Sequence, residues 1–347
     1  MPSRTVVGTG LIALDVIYFK DNRDDVTLQA GGSCGNVLSA LAWLGWNAKA
    51  WGRMGLDANS DLVVKDLNSA GVKTNFLDRK HSFGTPVIHQ VNSPRGSPNP
   101  THRFLWKCPD CNTPFPRHQP PTRVDAQTLM AKASPAVFYF DRVSPASIVL
   151  AGHYRSKGTM VVFEPNSIRD EKLFERALKV TTILKYSEER MSSYIQDLDE
   201  CKVKVQVETM GGEGLRFRTV GSKWQELGAI PTTQLVDSAG SGDWVTAGLI
   251  DSLHGKPLQA ADVRNSLRFG QALASLNCRF VGARGLMRHA YPKEARKWAD
   301  QLVRDHIVNV QETSAKSGAL GAYCTHCTAS TSHSTPETSN VTHAGGV

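Results

Sequence analysis

The sequence predicts an α/β fold, a largely parallel sheet with helices on both faces, and three observations predict it. Short apolar segments alternate with segments of helical period, several of them closed by glycine. A Gly/Ser turn at Asp237–Asp243 runs directly into a further helical pattern. Between residues 84 and 123 the rhythm breaks, and two short β-like segments sit in a proline-rich stretch, as a small separate sheet would require.

In chain order, Thr5 to Leu11 reads as a buried first strand that leads into a second, more exposed one through Phe19. Val37, Leu41 and Leu44 share a face, so Ser33 to Gly45 is predicted helical, with Gly45 as the stop. Ala48–Trp51 is a short strand, and Val63, Leu67 and Ala70 mark a helix ended by Gly71. Val87–Val91 and His102–Trp106 are the two strands of the interrupting unit, set among Pro94, Pro98, Pro100, Pro109, Pro114, Pro116, Pro120 and Pro121. Strands follow at Val137–Phe140, Met160–Phe163, Thr182–Leu184, Val203–Val207 and Leu215–Phe217. Gln234–Val236 reads as the end of a strand. Val245, Leu249 and Leu253 recur at helical spacing up to Gly255. Val263, Leu267, Gly270 and Ala274 line another helix, and Pro292 suits the first turn of the last one, with Trp298 and Leu302 on one face.

A chain of 347 residues can bury a substantial core in one domain. Its 40% hydrophobic and 21% charged content is that of a globular protein. No apolar run approaches the ~20 residues that span a bilayer, and the start has no charged-then-apolar secretory pattern, so a cytoplasmic location is expected. The formal charge of +8 is spread along the chain; it suits an anionic ligand such as a nucleotide, and no Lys/Arg block argues for nucleic acid. From Thr313 to Val347 the composition turns to Ser, Thr, Gly, Ala and His, which predicts a mostly disordered tail after a domain spanning residues 1–312.

The chemistry is concentrated in Asp237-Ser238-Ala239-Gly240-Ser241-Gly242-Asp243. Glycines that open a helix leave backbone N–H groups unpaired beside the positive end of the helix dipole, which suits a phosphate or a developing anion. Asp243, in the first helical turn, is placed to take a proton from a hydroxyl while the amides of Gly240, Ser241 and Gly242 hold the incoming group. That is a phosphoryl-transfer site in outline. No Gly-Lys-Ser/Thr follows, so it is not a Walker A loop, and the glycine spacing is not that of a dinucleotide fingerprint.

This stretch resembles the D-T-x-G-A-G-D signature of the ribokinase-like (PfkB) carbohydrate kinases. Gly31-Gly32-Ser33-Cys34-Gly35-Asn36 resembles their N-terminal G-G-x-x-x-N signature, and the resemblance spans roughly residues 5 to 305. It implies a three-layer αβα domain with a β lid from about residues 12–30 and 84–123, and ATP-dependent phosphorylation of a hydroxyl on a sugar or sugar-containing metabolite. By the same resemblance, Asp243 is the base, Asp15, Gly32 and Asn36 bind the acceptor, and Lys185, Glu189, Thr209, Gly211, Gly214, Gly282 and Ala283 lie on the nucleotide side. Magnesium is required to offset charge on the phosphate oxygens. Ser238 and Ser241 depart from the signature, and the bulky Trp244 is expected to narrow the pocket beside the base. Ser187 and Arg190 stand where the family has Asn and a metal-organising Glu, leaving Glu189 as the nearest substitute. Asp57 matches a G-x-D element and equally well a helix N-cap.

Of seven cysteines, Cys34, Cys201 and Cys278 stand singly and read as small apolar residues. Cys108/Cys111 and Cys324/Cys327 form two C-x-x-C pairs, whose spacing admits one shared structural zinc site joining lid and tail. An exposed lid sheet also admits a homodimer. Two other function classes fit parts of the sequence: a non-catalytic ligand sensor, given Ser187–Arg190, and a nucleic-acid-associated protein with a zinc module.

Overall fold

The computed structural model describes residues 4–81, 83–192, 202–232 and 234–305. A nine-stranded sheet is built from β1 (Thr5–Thr9), β4 (Asn47–Gly55), β5 (Lys73–His81), β8 (Val137–Phe140), β9 (Met160–Phe163), β10 (Ile183–Ser187), β11 (Val205–Thr209), β12 (Gly214–Thr219) and β13 (Gln225–Gly228). Their order is β13-β12-β11-β10-β9-β8-β1-β4-β5, parallel from β5 to β11 and antiparallel at the β12–β13 edge. The lid is a four-stranded sheet in the order β3-β2-β6-β7, from β2 (Ala13–Phe19), β3 (Asn22–Gly31), β6 (Val87–Asn92) and β7 (His102–Leu105). Unlike a simple antiparallel unit, its central pair β2–β6 is parallel, because β6 enters from the main domain beside β2 rather than from a hairpin.

The helices are α1 (Gly32–Trp43), α2 (Ala58–Ser69), α3 (Arg123–Lys132), α4 (Pro145–Ser156), α5 (Glu171–Val180), α6 (Glu188–Met191), α7 (Ser241–Leu253), α8 (Ala260–Asn277), α9 (Leu286–His289) and α10 (Pro292–Asp305). Adjacent β1 residues face opposite layers, as strand pleating demands. Val6 joins a core with Leu38, Trp244 and Leu249, whereas Val7 joins Phe138, Phe140, Phe163 and Tyr154 in the other. Phe140 and Phe163 stack at 4.4 Å between ring centroids. Both faces of the sheet are therefore covered, the condition under which parallel strands read as unbroken apolar runs.

Several expectations change. Gln234–Val236 is not a strand: the amides of Val236 and Asp237 bond the carbonyl of Cys278, so the segment is tied to the end of α8 instead of a sheet neighbour. Strand β5 and helices α3, α4 and α5 add to the elements read from the sequence. Pro292 does open α10, with Leu302 buried and Trp298 packed beside the core. Asp57 is a helix N-cap: its carboxylate accepts from Ser60 N at 2.8 Å and from Thr85 N at 2.7 Å. Among the described residues no helix is long and apolar enough to cross a membrane. The 313–347 tail lies outside the described residues.

Candidate active site

The glycine turn lies where the C-terminal edge of the parallel sheet meets the lid. Gly240 adopts φ +76°, and a Cβ there would stand 2.3 Å from that of Ala283, so only glycine makes this entry into α7. Among the described residues the amides of Gly240, Gly242 and Asp243 have no hydrogen-bond acceptor, whereas that of Ser241 already bonds Ser238 O at 3.2 Å. The open donors therefore differ from the expected trio by one residue. Three unpaired amides at the positive end of a 13-residue helix are chemically suited to receive an anion.

Asp243 stands at this edge, and Asn36 Nδ2 donates to its Oδ2 at 2.8 Å. Burial first, and then the charge of Glu164, pushes the Asp243 carboxyl up to about 7, against the pull of Asn36, Lys185 and Arg190. Beneath it is a network the sequence reading missed. Glu164, just past the end of β9, pairs with Lys185 through Oε1; its Oε2 accepts from Thr246 at 2.6 Å and from Tyr139 at 3.3 Å. Lys185 Nζ lies 3.5 Å from where a Gly242 Cβ would stand, which sets an ammonium against the turn. A carboxylate immediately after an apolar parallel strand was the readable signal for Glu164.

Of the residues expected to bind the acceptor, Asp15 meets the Gly32 amide and Asn36 bonds Asp243. Asp15 and Asn36 are both buried, and Asp15 Oδ1 and Asn36 Oδ1 have no hydrogen-bond partner. Burial dominates in raising the Asp15 carboxyl to about 7, while Arg284 and the Gly32 amide favour its charge. Gly32 has φ +74°, and a Cβ there would meet Leu11 O at 2.4 Å, so the approach that brings its amide to Asp15 requires glycine. Asp141 fixes the same corner by accepting from Leu11 N at 2.9 Å.

The nucleotide-side residues divide. Lys185 sits at the turn, as described. Ala283 packs under Gly240, and its carbonyl accepts from Trp244 Nε1 at 2.8 Å; Gly282 donates its amide to Asp237 Oδ2 at 2.8 Å. Both buttress the turn. Trp244 does not narrow the pocket: it is fully buried, edge-on to Trp43 in the core, because the helix turns the residue after Asp243 inward. Thr209 bonds its hydroxyl to Tyr186 O at 3.3 Å, Gly214 opens β12, and Gly211 borders open space in the loop between them. Glu189 is exposed on α6, and the α6 side chain whose charge acts on Asp243 is Arg190.

Asp237, first residue of the signature, is a buried tie. Its Oδ2 accepts from Gln90 at 2.6 Å and from Asn92 at 3.1 Å on lid strand β6. Its Oδ1 accepts from Ala239 N at 2.9 Å and faces His102 of β7 at 3.4 Å. Although burial pushes the other way, His102 and the amides of Ala239 and Gly282 hold its carboxyl below the usual value.

Cys108 is buried and Cys111 half-buried in one tight turn, where Asn112 takes φ +58° and donates to Cys108 O at 2.9 Å. Among the described residues no group of three or more His, Cys, Asp or Glu could hold a metal, and Cys324 and Cys327 lie outside them, as does Cys201. Cys34 and Cys278 are buried, as small apolar residues would be.

Comparison with solved structures gives the same architecture. The ribokinase of Arabidopsis thaliana, complexed with ribose and ATP, superposes with a TM-score of 0.60 at 20% identity, covering 87% of this chain and 99% of that one. The ATP-bound fructokinase of Xylella fastidiosa gives 0.67 at 16% identity over 86% and 99%. A Burkholderia thailandensis nucleoside kinase with inosine gives 0.62 at 17% over 86% and 95%. No curated protein matches the sequence. The pfkB family carbohydrate kinase model matches residues 3–96 and 171–290, which hold both the G-G-x-x-x-N segment and the glycine turn. This chain belongs to the pfkB family of carbohydrate kinases, phosphotransferases that act on an alcohol group.

Proposed function

We propose that the chain transfers the γ-phosphoryl group of ATP to a hydroxyl of a sugar or sugar-containing metabolite, with Asp243 as general base. One observation carries this reading: a half-buried carboxylate stands at a helix N-terminus beside three unpaired amides and is held by Asn36 from the acceptor side. The acceptor oxygen forms a bond to the γ-phosphorus as the bond from that phosphorus to the β–γ bridging oxygen breaks. The hydroxyl proton passes to Asp243, and ADP leaves. The amides of Gly240, Gly242 and Asp243, with Lys185, meet the charge on the equatorial oxygens.

Magnesium, when bound, supplies further charge neutralisation on the phosphates. Glu164 has both oxygens engaged and Asp243 one, so the described residues fit an ion carried largely by the nucleotide and water rather than a protein cage. The test is ATP turnover against a panel of sugars, nucleosides and sugar phosphates. Asp243→Asn should lower kcat by on the order of 10²–10⁴ with nucleotide binding retained. Near-normal turnover by that variant, or no turnover of any acceptor by the parent protein, overturns the assignment.

Two structural readings accompany this function. The two C-x-x-C pairs would share one zinc, with Cys108 and Cys111 in the described turn, and the lid would join a second copy through β7, the edge strand that exposes Phe104 and continues to exposed Trp106.

A further inference from the structure

We infer that Gln29 reads an oxygen of the acceptor and so determines specificity, with Arg288 as the residue that sets its orientation; this rests on the sugar-kinase reading above. Gln29 lies on β3 directly opposite Asp15 of β2 in the antiparallel register, so both side chains point to one face of the lid's root. It is only 3% exposed. Arg288 Nη2 donates to Gln29 Oε1 at 2.6 Å. An arginine can only donate, so the amide must present its oxygen to Arg288 and its nitrogen to the other side.

That nitrogen has no hydrogen-bond partner. Neither does the facing Oδ1 of Asp15, nor Oδ1 of Asn36. The Gln29 amide lies near enough to favour the Asp15 carboxylate charge, yet the donor and the acceptor remain outside bonding geometry with each other. Two buried groups that could pair and do not are costly, on the order of 1–3 kcal/mol each. A ligand inserted between them removes that cost. On the other side, Asn36 is bonded to Asp243, which links these atoms to the reacting end of the site.

The set defines its occupant. Asp15 and Asn36 each offer an acceptor to a hydroxyl proton, and Gln29 offers a donor to an oxygen lone pair. A polyol or sugar with adjacent oxygens satisfies all three, whereas an acceptor with a single isolated hydroxyl leaves Gln29 unpaired. Discrimination of this kind is large, because the penalty falls on a buried polar group.

The experiment compares wild type, Gln29→Met, Gln29→Glu and Arg288→Ala, using the best acceptor from the panel and its singly deoxygenated analogues. Gln29→Met should raise the acceptor KM about tenfold or more, the effect of one lost buried hydrogen bond, and leave the ATP KM unchanged. Gln29→Glu should raise it further, since its carboxylate faces Asp15. Arg288→Ala should give a smaller rise. One deoxy analogue should be a poor substrate for wild type and no poorer than the parent sugar for Gln29→Met. Gln29→Met removes an unpaired buried donor but also the acceptor of Arg288, so its melting temperature should change by no more than a few degrees. An unchanged acceptor KM in an active enzyme overturns the inference. So does a fall in melting temperature with equal loss for both substrates, which would make Gln29 a structural partner of Asp15. Absence of turnover by wild type with every acceptor instead overturns the underlying kinase reading, and the two failures are distinguishable.

Discussion

Asp15 and Asp243 are prominent among the groups that give this protein a pH dependence, since burial raises both carboxyls from an ordinary value of 3.8 to about 7, and that of Asp141 to about 6. A base works only when deprotonated. We expect kcat/KM to climb with pH through a midpoint near 7, and Asp243→Asn to make that limb shallower, leaving the share of Asp15, while most of the rate is lost. A pH–rate profile of both proteins checks it. Stability runs in the opposite direction. A carboxyl whose folded pKa is raised contributes stability that is complete below its unfolded value near 4 and lost as pH rises towards 7. The ligand-free protein should therefore lose stability from pH 4 to 7 on account of these two groups. Asp15→Asn should melt higher than wild type at pH 8, on the order of 5 °C for each few kcal/mol in a chain of this size, and no higher at pH 4. Thermal melts across that range decide it; an equal advantage at both pH values would show that ionisation is not the cause.

The glycine turn gains its shape from the elements around it. Asp237 connects β6 and β7 of the lid to Ala239 in the turn and to Gly282 beyond α8. Asp237→Ala removes an acceptor shared by four buried donors, each of which then costs about 1–3 kcal/mol. The expected result is a melting temperature lower by roughly 10 °C and a kcat loss that exceeds any change in acceptor KM, because the amides lose their alignment while Asp15 and Asn36 are untouched. Calorimetry with steady-state kinetics checks both parts; a stable variant with normal kcat would show that the turn needs no tie to the lid. Gly240 makes a related point, because its φ of +76° and the closeness of Ala283 leave no room for another residue.

In the whole molecule two layers of helices cover the main sheet, while β7 leaves one lid edge unpaired with Phe104 and Trp106 partly exposed beside it. An open apolar edge favours pairing with another strand. Sedimentation should show self-association that Trp106→Lys abolishes; a monomer at all concentrations would remove the lid dimer. A shared zinc would belong to this scale too, since the four cysteines proposed to hold it are far apart in sequence. Full-length protein purified reduced and without chelator should carry close to one zinc per chain, released by Cys108→Ser with Cys111→Ser. Metal analysis that finds none would leave the two pairs without a shared ion.

The sequence by itself determined the family and placed a glycine turn at the head of a helix, because those depend on short contiguous motifs whose local geometry is set by glycine and helix capping. It also placed Val137–Phe140 and Met160–Phe163 at their observed bounds, since central parallel strands are apolar on both faces. Strands β5 and β13 lacked that signal because they lie at sheet edges and are partly polar. Helix α4 did carry one in Ser144-Pro145, which forms its cap. Only the tertiary structure could decide that Trp244 turns into the core, that the Ser241 amide is already engaged, and that Asp237 binds the lid. Gln29 is the clearest case. Its free nitrogen depends on the β2–β3 register and on Arg288, a residue 259 positions away, and no local pattern encodes a partner at that distance.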